Sequence, residues 1–228
     1  MRVSQLFTKF IAVAAIALGA LSAHAIEPRA GVEYDYMPTA LPTDTPGKIE
    51  VIEFFWFGCP HCYKAEPAVE AWAKTLPKDV VFRREHVMWE GRSDMEGHVR
   101  IFLALKSMGL LDSMTQKVFD AIQRDHIELR REDVLFDWIA KQGIDRAKFE
   151  ANYKSAFSVN AGIARATQLA GTYHIDGVPM FIVNGKYKTS PTSVQRGSST
   201  PMDEVKGSQV TLDVVNALIA KERAAAKK

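Results

Sequence analysis

Residues 49–67 read IEVIEFFWFGCPHCYKAEP, and this stretch decides the fold. Residues 49–57 are almost continuously apolar and rich in β-branched and aromatic side chains, which predicts a strand buried on both faces. Pro60 is well suited to the first turn of a following helix, and Pro67 is expected to kink that helix. Residues 80–87 predict a second strand. A strand, a helix and a strand joined by short connections form a parallel crossover unit.

The periodicity changes after this unit, because apolar residues between 93 and 157 recur at helical spacing in several successive runs. Ser93 and Glu96 match a capping box at the start of the first run, and Asp145 is a candidate N-cap of a later one. The sequence therefore predicts a helical segment inserted into an α/β domain.

The chain then returns to strand-like sequence, with Asn184 and Gly185 between two short apolar runs. An Asn-Gly pair in this setting is a strong hairpin signal. Residues 190–210 are rich in Ser, Thr, Pro and Gly and predict a loop, whereas residues 210–220 predict a helix. The predicted organisation is an α/β domain from two segments with a helical domain between them, assigned to residues 26–92 and 158–228 and to residues 93–157.

The composition is that of a globular protein, since 47% of the 228 residues are hydrophobic and 25% are charged. This excludes disorder and a disulfide-dense miniprotein. The formal net charge is +2, but Arg2 and Lys9 lie in the first 25 residues, and without them 27 basic residues balance 27 acidic ones. The balance argues against a nucleic-acid partner.

The first 25 residues have the layout of a secretory signal peptide. Residues 10–21 are apolar, and Ala23 and Ala25 are the small residues that a signal peptidase selects. A membrane anchor is the alternative, but a spanning helix needs about 20 apolar residues. The sequence predicts cleavage after Ala25 and export of the remaining chain.

The chain has two cysteines, Cys59 and Cys62, and a disulfide between them would close too short a loop to stabilise the fold strongly. Reactivity explains the pair better than stability. Cys59 is expected at a helix N-terminus, where unpaired amides and the helix dipole favour a thiolate, and His61 adds positive charge. Cys59 is thus the candidate exposed nucleophile and Cys62 its buried partner.

Two other interpretations of the cysteine pair remain open: an inert structural disulfide and half of a zinc site. A structural zinc site needs four ligands, and the sequence offers two cysteines with no histidine spacing that completes a tetrahedron. No metal is predicted.

The motifs FFWFGCPHCYKAEP (54–67) and GVPMFIVNG (177–185) together resemble the DsbA family of periplasmic thiol oxidases, which have a thioredoxin fold. The likeness is strong over residues 49–63 and 175–188, and the order of elements matches across almost all of the chain after the signal peptide. The resemblance implies an α/β thioredoxin-like fold with an inserted helical domain.

The resemblance also assigns roles to the residues around the cysteines. It makes Cys59 the attacking sulfur and His61 the neighbour that tunes it. It makes Val178 and Pro179 the loop that faces the disulfide and binds substrate, with Pro179 in cis.

Glu53 lies inside the apolar strand, where an unpaired carboxylate is costly to bury. A solvated edge position is one interpretation; the resemblance implies instead a buried acid beneath the disulfide that relays a proton to or from Cys62. Arg84 occupies the position where the family often has a lysine partner, and an arginine is a harder charge to neutralise. His86 is either near this site or simply packed.

The function implied is donation of the Cys59–Cys62 disulfide to reduced, unfolded exported proteins by a monomer without a cofactor. Reoxidation would need a quinone-linked membrane partner of the DsbB type. A disulfide isomerase or reductase is one alternative, although residues 26–48 are too few for a separate dimerisation domain. A non-catalytic peptide-binding module, using apolar residues such as Trp56, Phe57 and Val178, is another.

Overall fold

The computed structural model describes residues 27–226, so the predicted signal peptide and its cleavage after Ala25 lie outside the described residues. Within that range the chain forms a five-stranded mixed sheet in the order β1-β5-β4-β2-β3. The strands are β1 Asp35–Tyr36, β2 Ile49–Phe55, β3 Val80–His86, β4 Met180–Val183 and β5 Tyr187–Thr189.

The predicted buried strand is the centre of the sheet. β2 pairs in parallel with β3 and antiparallel with β4, and all of its residues after Ile49 are buried. The strand ends at Phe55, two residues earlier than predicted, and residues 56–58 form a turn instead. This early end matters because the turn leads directly into the next helix.

Helices cover both faces of the sheet. They are α1 Pro60–Ala73, α2 Glu96–Ser107, α3 Leu111–Phe119, α4 Glu132–Lys141, α5 Arg146–Tyr153, α6 Ala156–Thr172, α7 Pro191–Arg196 and α8 Glu204–Ala225. None of the helices within residues 27–226 combines the length and hydrophobicity needed to cross a membrane.

α1 and α8 pack side by side on one face, joined by apolar contacts and by a hydrogen bond from the Trp72 indole to Asn216 at 2.8 Å. Pro67 lies inside α1 without ending it. On the helical side of the molecule, Phe55 and Phe57 belong to one core with residues of α2 to α5. The apolar side chains at the end of β2 therefore contact the inserted helices.

The insert begins differently from its prediction. Ser93 starts a short 3-10 turn and caps no helix, and the Glu96 carboxylate pairs with Arg100 at 2.6 Å, so the capping box was wrong. Asp145 does cap α5, accepting a hydrogen bond from the Lys148 amide at 3.1 Å. The boundary at residues 157 and 158 falls in the first turn of α6, and the division into two domains stays a prediction.

The hairpin prediction is confirmed. Asn184 and Gly185 have φ angles of 51° and 64° and connect β4 to β5, as a primed turn requires. Gly185 is also required by space, because a Cβ there would lie 2.1 Å from the Leu41 carbonyl oxygen.

The predicted loop over residues 190–210 was wrong in part, since it contains α7 and the start of α8. Each helix has a local cap that the composition of the segment concealed. The Ser190 hydroxyl accepts from the Ser193 amide at 3.1 Å, and the Asp203 carboxylate accepts from the Lys206 amide at 2.8 Å.

Candidate active site

Cys59 is the N-cap residue of α1, and its extended backbone (φ −88°, ψ 117°) joins the turn to the helix. Its amide donates to the Trp56 carbonyl at 2.9 Å, and its carbonyl accepts from the Tyr63 amide at 3.1 Å. Pro60 occupies the first helical position, where the absence of an amide hydrogen costs nothing. The predicted placement of a cysteine at a helix start is therefore present.

The surroundings of Cys59 stabilise its thiolate. A hydrogen bond from the Cys62 thiol is the largest cause, and the backbone amides of Cys62 and His61 and the charge of the His61 side chain add to it. Together they outweigh burial and lower the pKa of Cys59 to about 6. Cys59 is therefore mostly ionised at neutral pH.

Cys62 behaves in the opposite way. It is 1% exposed, and burial, followed by its hydrogen bond to Cys59, raises its pKa well above the ordinary value. The nearby Glu53 carboxyl acts in the same direction. Both cysteines are free thiols in this structure, and Cys62 is the one that keeps its proton.

The expectation that Cys59 is exposed was wrong, since 6% of its surface is accessible. The loop before β4 lies over the sulfur, with the Val178 carbonyl oxygen 3.4 Å from the Cys59 Sγ. The Val178–Pro179 peptide bond is cis, as the resemblance implied. The predicted loop therefore lies against the Cys59 sulfur through Val178.

His61 lies on the exposed side of the same turn, and 64% of its side chain is accessible. Its Nδ1 lies 2.7 Å from Oε1 of Glu204, the first residue of α8. The imidazole is thus bound to a carboxylate, and its charge is the last of the effects that lower the pKa of Cys59. The backbone amide of His61 contributes more than its ring does.

Glu53 is 1% exposed, which excludes the solvated edge position. It lies beside Arg84 in the parallel register of β2 and β3, and the Arg84 Nε donates to its Oε2 at 3.0 Å. Burial still raises the pKa of Glu53, although the guanidinium opposes this. A buried acid is therefore present, near enough to affect the pKa of Cys62, together with the arginine that sequence reasoning paired with it.

Sequence reasoning missed a second buried acid, Glu66, whose Oε1 accepts from Arg84 at 2.9 Å. Glu66 is 2% exposed, and burial raises its pKa to about 8. The signal was present in the helix, because Cys62, Glu66 and Val69 follow the i, i+4, i+7 spacing of one buried face. Glu53, Arg84 and Glu66 form what we call the buried acid cluster.

His86 is fully packed and also hydrogen-bonded. Its Nε2 accepts from the Phe57 amide at 3.3 Å, and its Nδ1 donates to the Val87 carbonyl at 2.8 Å. Burial lowers the pKa of His86 to about 3, so the ring is neutral and Nε2 keeps its lone pair. His86 therefore supports the turn before Cys59, which the sequence did not indicate.

A cavity of about 410 Å³ opens next to the two loop residues. Polar and charged side chains from α1, β5, α7 and α8 line it with them, among them His61, Lys188, Arg196 and Glu204. It is large enough for one or two side chains of a bound segment. Within residues 27–226, no group of three or more His, Cys, Asp or Glu residues is arranged to hold a metal ion.

Comparisons with known proteins agree with this geometry. A family model described as DSBA-like thioredoxin domain matches residues 50–199. The chain is 37% identical to the thiol:disulfide interchange protein DsbA of Pseudomonas aeruginosa over 98% of both chains, and 40% identical to that of Pseudomonas syringae over 95% of both. The crystal structure of Pseudomonas aeruginosa DsbA superimposes with a TM-score of 0.76 at 37% identity, covering 88% of this chain and 97% of that one.

A reactive cysteine pair at a helix start, opposite a cis-proline loop on this sheet, defines a thioredoxin-like thiol:disulfide oxidoreductase. The chain belongs to the DsbA family. It is an enzyme of thiol–disulfide exchange, and its partners are the thiols and disulfides of substrate proteins. The predicted fold, family and reaction class are confirmed.

Proposed function

We propose that Cys59 is the sulfur that exchanges with substrates and that Cys62 is the resolving partner. In the oxidised enzyme a substrate thiolate attacks the Cys59 sulfur, breaking the Cys59–Cys62 bond and forming a mixed disulfide. Cys62 leaves with the electron pair and takes up a proton. A second substrate thiolate then attacks the substrate sulfur of the mixed disulfide and releases Cys59. Two substrate thiols are oxidised to a disulfide, and the cysteine pair is reduced.

The opposite pKa shifts of the two cysteines are the observation that supports these roles. A low pKa makes Cys59 the better leaving group when the mixed disulfide is resolved. Because the same stabilised thiolate lowers the free energy of the reduced enzyme, the disulfide is readily given away. The direction we propose is therefore oxidation of the substrate.

Glu53 is proposed as the group that exchanges a proton with Cys62. Its carboxyl is buried, burial raises its pKa, and its charge contributes to the raised pKa of Cys62. Arg84 keeps the acid in place through its 3.0 Å hydrogen bond but stays charged, so no proton passes through it.

Val178 and Pro179 are proposed to bind the substrate backbone, since their loop already contacts the Cys59 sulfur. A proline at this position leaves no amide hydrogen to compete with an incoming strand. The adjoining cavity would then take substrate side chains next to the reacting cysteine.

The substrates proposed are reduced, unfolded exported proteins. The predicted signal peptide and cleavage after Ala25 support export to the periplasm, where such substrates arrive as thiols. We propose a monomer, with a helical domain over residues 93–157, that is reoxidised by a quinone-linked membrane partner of the DsbB type. Mass spectrometry of protein from the periplasm tests export, and the expected mature N-terminus is Ile26.

The deciding experiment compares oxidation and reduction by one preparation. The oxidised protein is mixed with a reduced, unfolded substrate, and the reduced protein is assayed for insulin reduction with a thiol reductant. We expect stoichiometric oxidation of the first substrate. The equilibrium constant of the enzyme with glutathione is measured as well, and we expect it to favour the reduced enzyme. An equilibrium that favours the oxidised enzyme would support the reductase or isomerase alternative instead. Activity in neither assay would support a non-catalytic binding module.

A further inference from the structure

The turn that carries Cys59 is held by side chains from outside it. Residues 56–58 connect β2 to α1, and the amide of Phe57 donates to His86. The carbonyl of Phe57 accepts a hydrogen bond at 2.9 Å from Nε2 of Gln123, a residue of the inserted helices. The amide and the carbonyl of Phe57 are thus each bound by a side chain. These two side chains, His86 and Gln123, are far apart in the sequence.

Gln123 lies in a π-helical turn, Asp120–Arg124, that continues α3. The Asp125 amide donates five residues back to the Asp120 carbonyl at 2.9 Å, whereas an α-helix bonds four residues back. Such wider turns change the direction of the side chains they carry and are frequent at functional sites.

The surrounding aromatic contacts support the same arrangement. The Phe119 ring, at the end of α3, packs edge-on against the Phe57 ring with centroids 5.1 Å apart. Phe57 is fully buried, so its carbonyl would otherwise have little access to water. An unpaired buried carbonyl is costly, and Gln123 supplies the partner.

We propose that Gln123 is a positioning residue for thiol exchange, because its amide fixes the Phe57 carbonyl and so holds the turn that carries Cys59. The inserted helices then do more than cover the sheet. Through Gln123 they hold the Phe57 carbonyl, and the carbonyl of the preceding residue, Trp56, accepts from the Cys59 amide. The orientation of the helix start, and with it the stability of the Cys59 thiolate, depends on this contact.

This inference rests on the proposed role of Cys59, and the test separates the two. Gln123→Met keeps the length of the side chain and removes the donor. Gln116→Met is the matched control, because Gln116 lies on α3 and donates to the Asp120 side chain but makes no hydrogen bond to residues 56–58. For each protein, thiolate absorbance is followed across pH, and the equilibrium constant with glutathione is measured.

In Gln123→Met we expect the pKa of Cys59 to rise and the equilibrium with glutathione to move about threefold to tenfold toward the oxidised enzyme. Gln123→Glu should shift it further at neutral pH, because a carboxylate would face the carbonyl. The Gln116→Met control should match the unchanged protein.

A contact that only stabilises the fold would lower the melting temperatures of the oxidised and reduced forms equally. If Gln123→Met does that and leaves both the pKa of Cys59 and the glutathione equilibrium unchanged, the inference is wrong. If the unchanged protein itself shows an ordinary thiol pKa at Cys59, the proposed role of Cys59 is wrong as well.

Discussion

Two regions one helical turn apart shift the pKa of a cysteine thiol in opposite directions. At the start of α1, a thiol hydrogen bond and two backbone amides converge on Cys59 and lower its pKa to about 6. One turn further in, Cys62 is buried above the acid cluster, and its pKa is raised well above the usual value. The two side chains are chemically identical, so the difference between their pKa values comes from their neighbours.

The hydrogen bond between the two sulfurs links these regions. It lowers the pKa of Cys59 and raises that of Cys62, so the reduced pair holds one proton and one negative charge near neutral pH. The difference between the two pKa values therefore comes from this hydrogen bond and the backbone amides at Cys59, and mainly from burial at Cys62. Changes that alter either region should alter the separation in a defined direction.

The largest expected effect is the difference in reactivity between the two thiols. At pH 7 iodoacetamide should modify Cys59 roughly a hundredfold faster than Cys62, because the thiolate is the reacting form and Cys62 is almost fully protonated. Peptide mapping by mass spectrometry after brief labelling measures the ratio. In addition, Cys62→Ala should accumulate mixed disulfides with substrates and Cys59→Ala should not. Equal labelling, or trapping by Cys59→Ala, would contradict the assigned roles.

The second prediction concerns stability. A folded pKa of about 6 lies below the unfolded value of about 8.5, so the thiolate contributes stability that is present at high pH and lost as the pH falls through 6. Between pH 5 and pH 8, the free energy of unfolding of the reduced form should therefore rise by about 2 to 3 kcal/mol relative to the oxidised form. The disulfide closes a four-residue loop and contributes about 2 kcal/mol in return, so near pH 8 the reduced form should be at least as stable.

Denaturant unfolding of both forms at several pH values measures this relative change. Cys59→Ser cannot form the disulfide, so its unfolding is compared directly with that of the reduced unchanged protein, and it should lack the rise because a serine does not ionise in this range. A pH-independent difference in the unchanged protein would mean that the Cys59 thiolate is not stabilised by the fold.

The features that could be predicted from the sequence are those set by local sequence signals. The apolar strand, Pro60 at the first helical position and the Asn-Gly turn each act over a few neighbouring residues, so they can be interpreted without the fold. The helix start therefore made Cys59 the candidate reactive thiol. The cis Val178–Pro179 bond depended on the family resemblance, because no local rule demands it.

The second region was harder to predict, because its partners are distant in the sequence. The helical spacing places Glu66 on the buried face of α1, but its partner Arg84 lies on β3, 18 residues away, which no local pattern indicates. The same holds for Gln123, which is 66 residues from the carbonyl it binds. The low accessibility of Cys59 was also missed, since it depends on Val178 and on how the sheet brings that loop back.

The third prediction tests the buried acid cluster through Glu66. Because burial raises its pKa to about 8, the folded state holds a proton that the unfolded state releases above about pH 4.5, and stability falls as the pH rises between these values. Glu66→Gln removes this loss, so it should stabilise the protein on the order of 2 kcal/mol at pH 8 and little at pH 5. Urea unfolding at both pH values measures the effect.

Glu90→Gln is the control for the loss of one carboxylate, because Glu90 is exposed and should change stability little at either pH. If Glu66→Gln destabilises the protein equally at both pH values, Glu66 is instead an ionised and favourable partner of Arg84. In that case burial in the acid cluster would not raise the pKa of Glu66.

The smallest expected effect belongs to His61, since its charge ranks last among the groups that lower the pKa of Cys59. His61→Ala keeps the backbone amide, so the helix start remains, and we expect the equilibrium with glutathione to shift only about threefold to tenfold toward the oxidised enzyme.

Glu204→Gln supplies the matched test, because Glu204 holds the ring at 2.7 Å. Releasing the imidazole and removing a nearby negative charge should lower the pKa of Cys59. That change should be smaller in the His61→Ala background, where no ring remains to be released. A roughly hundredfold shift of the glutathione equilibrium in His61→Ala would contradict this ranking. It would mean that the charge of the imidazole accounts for most of the lowered pKa of Cys59.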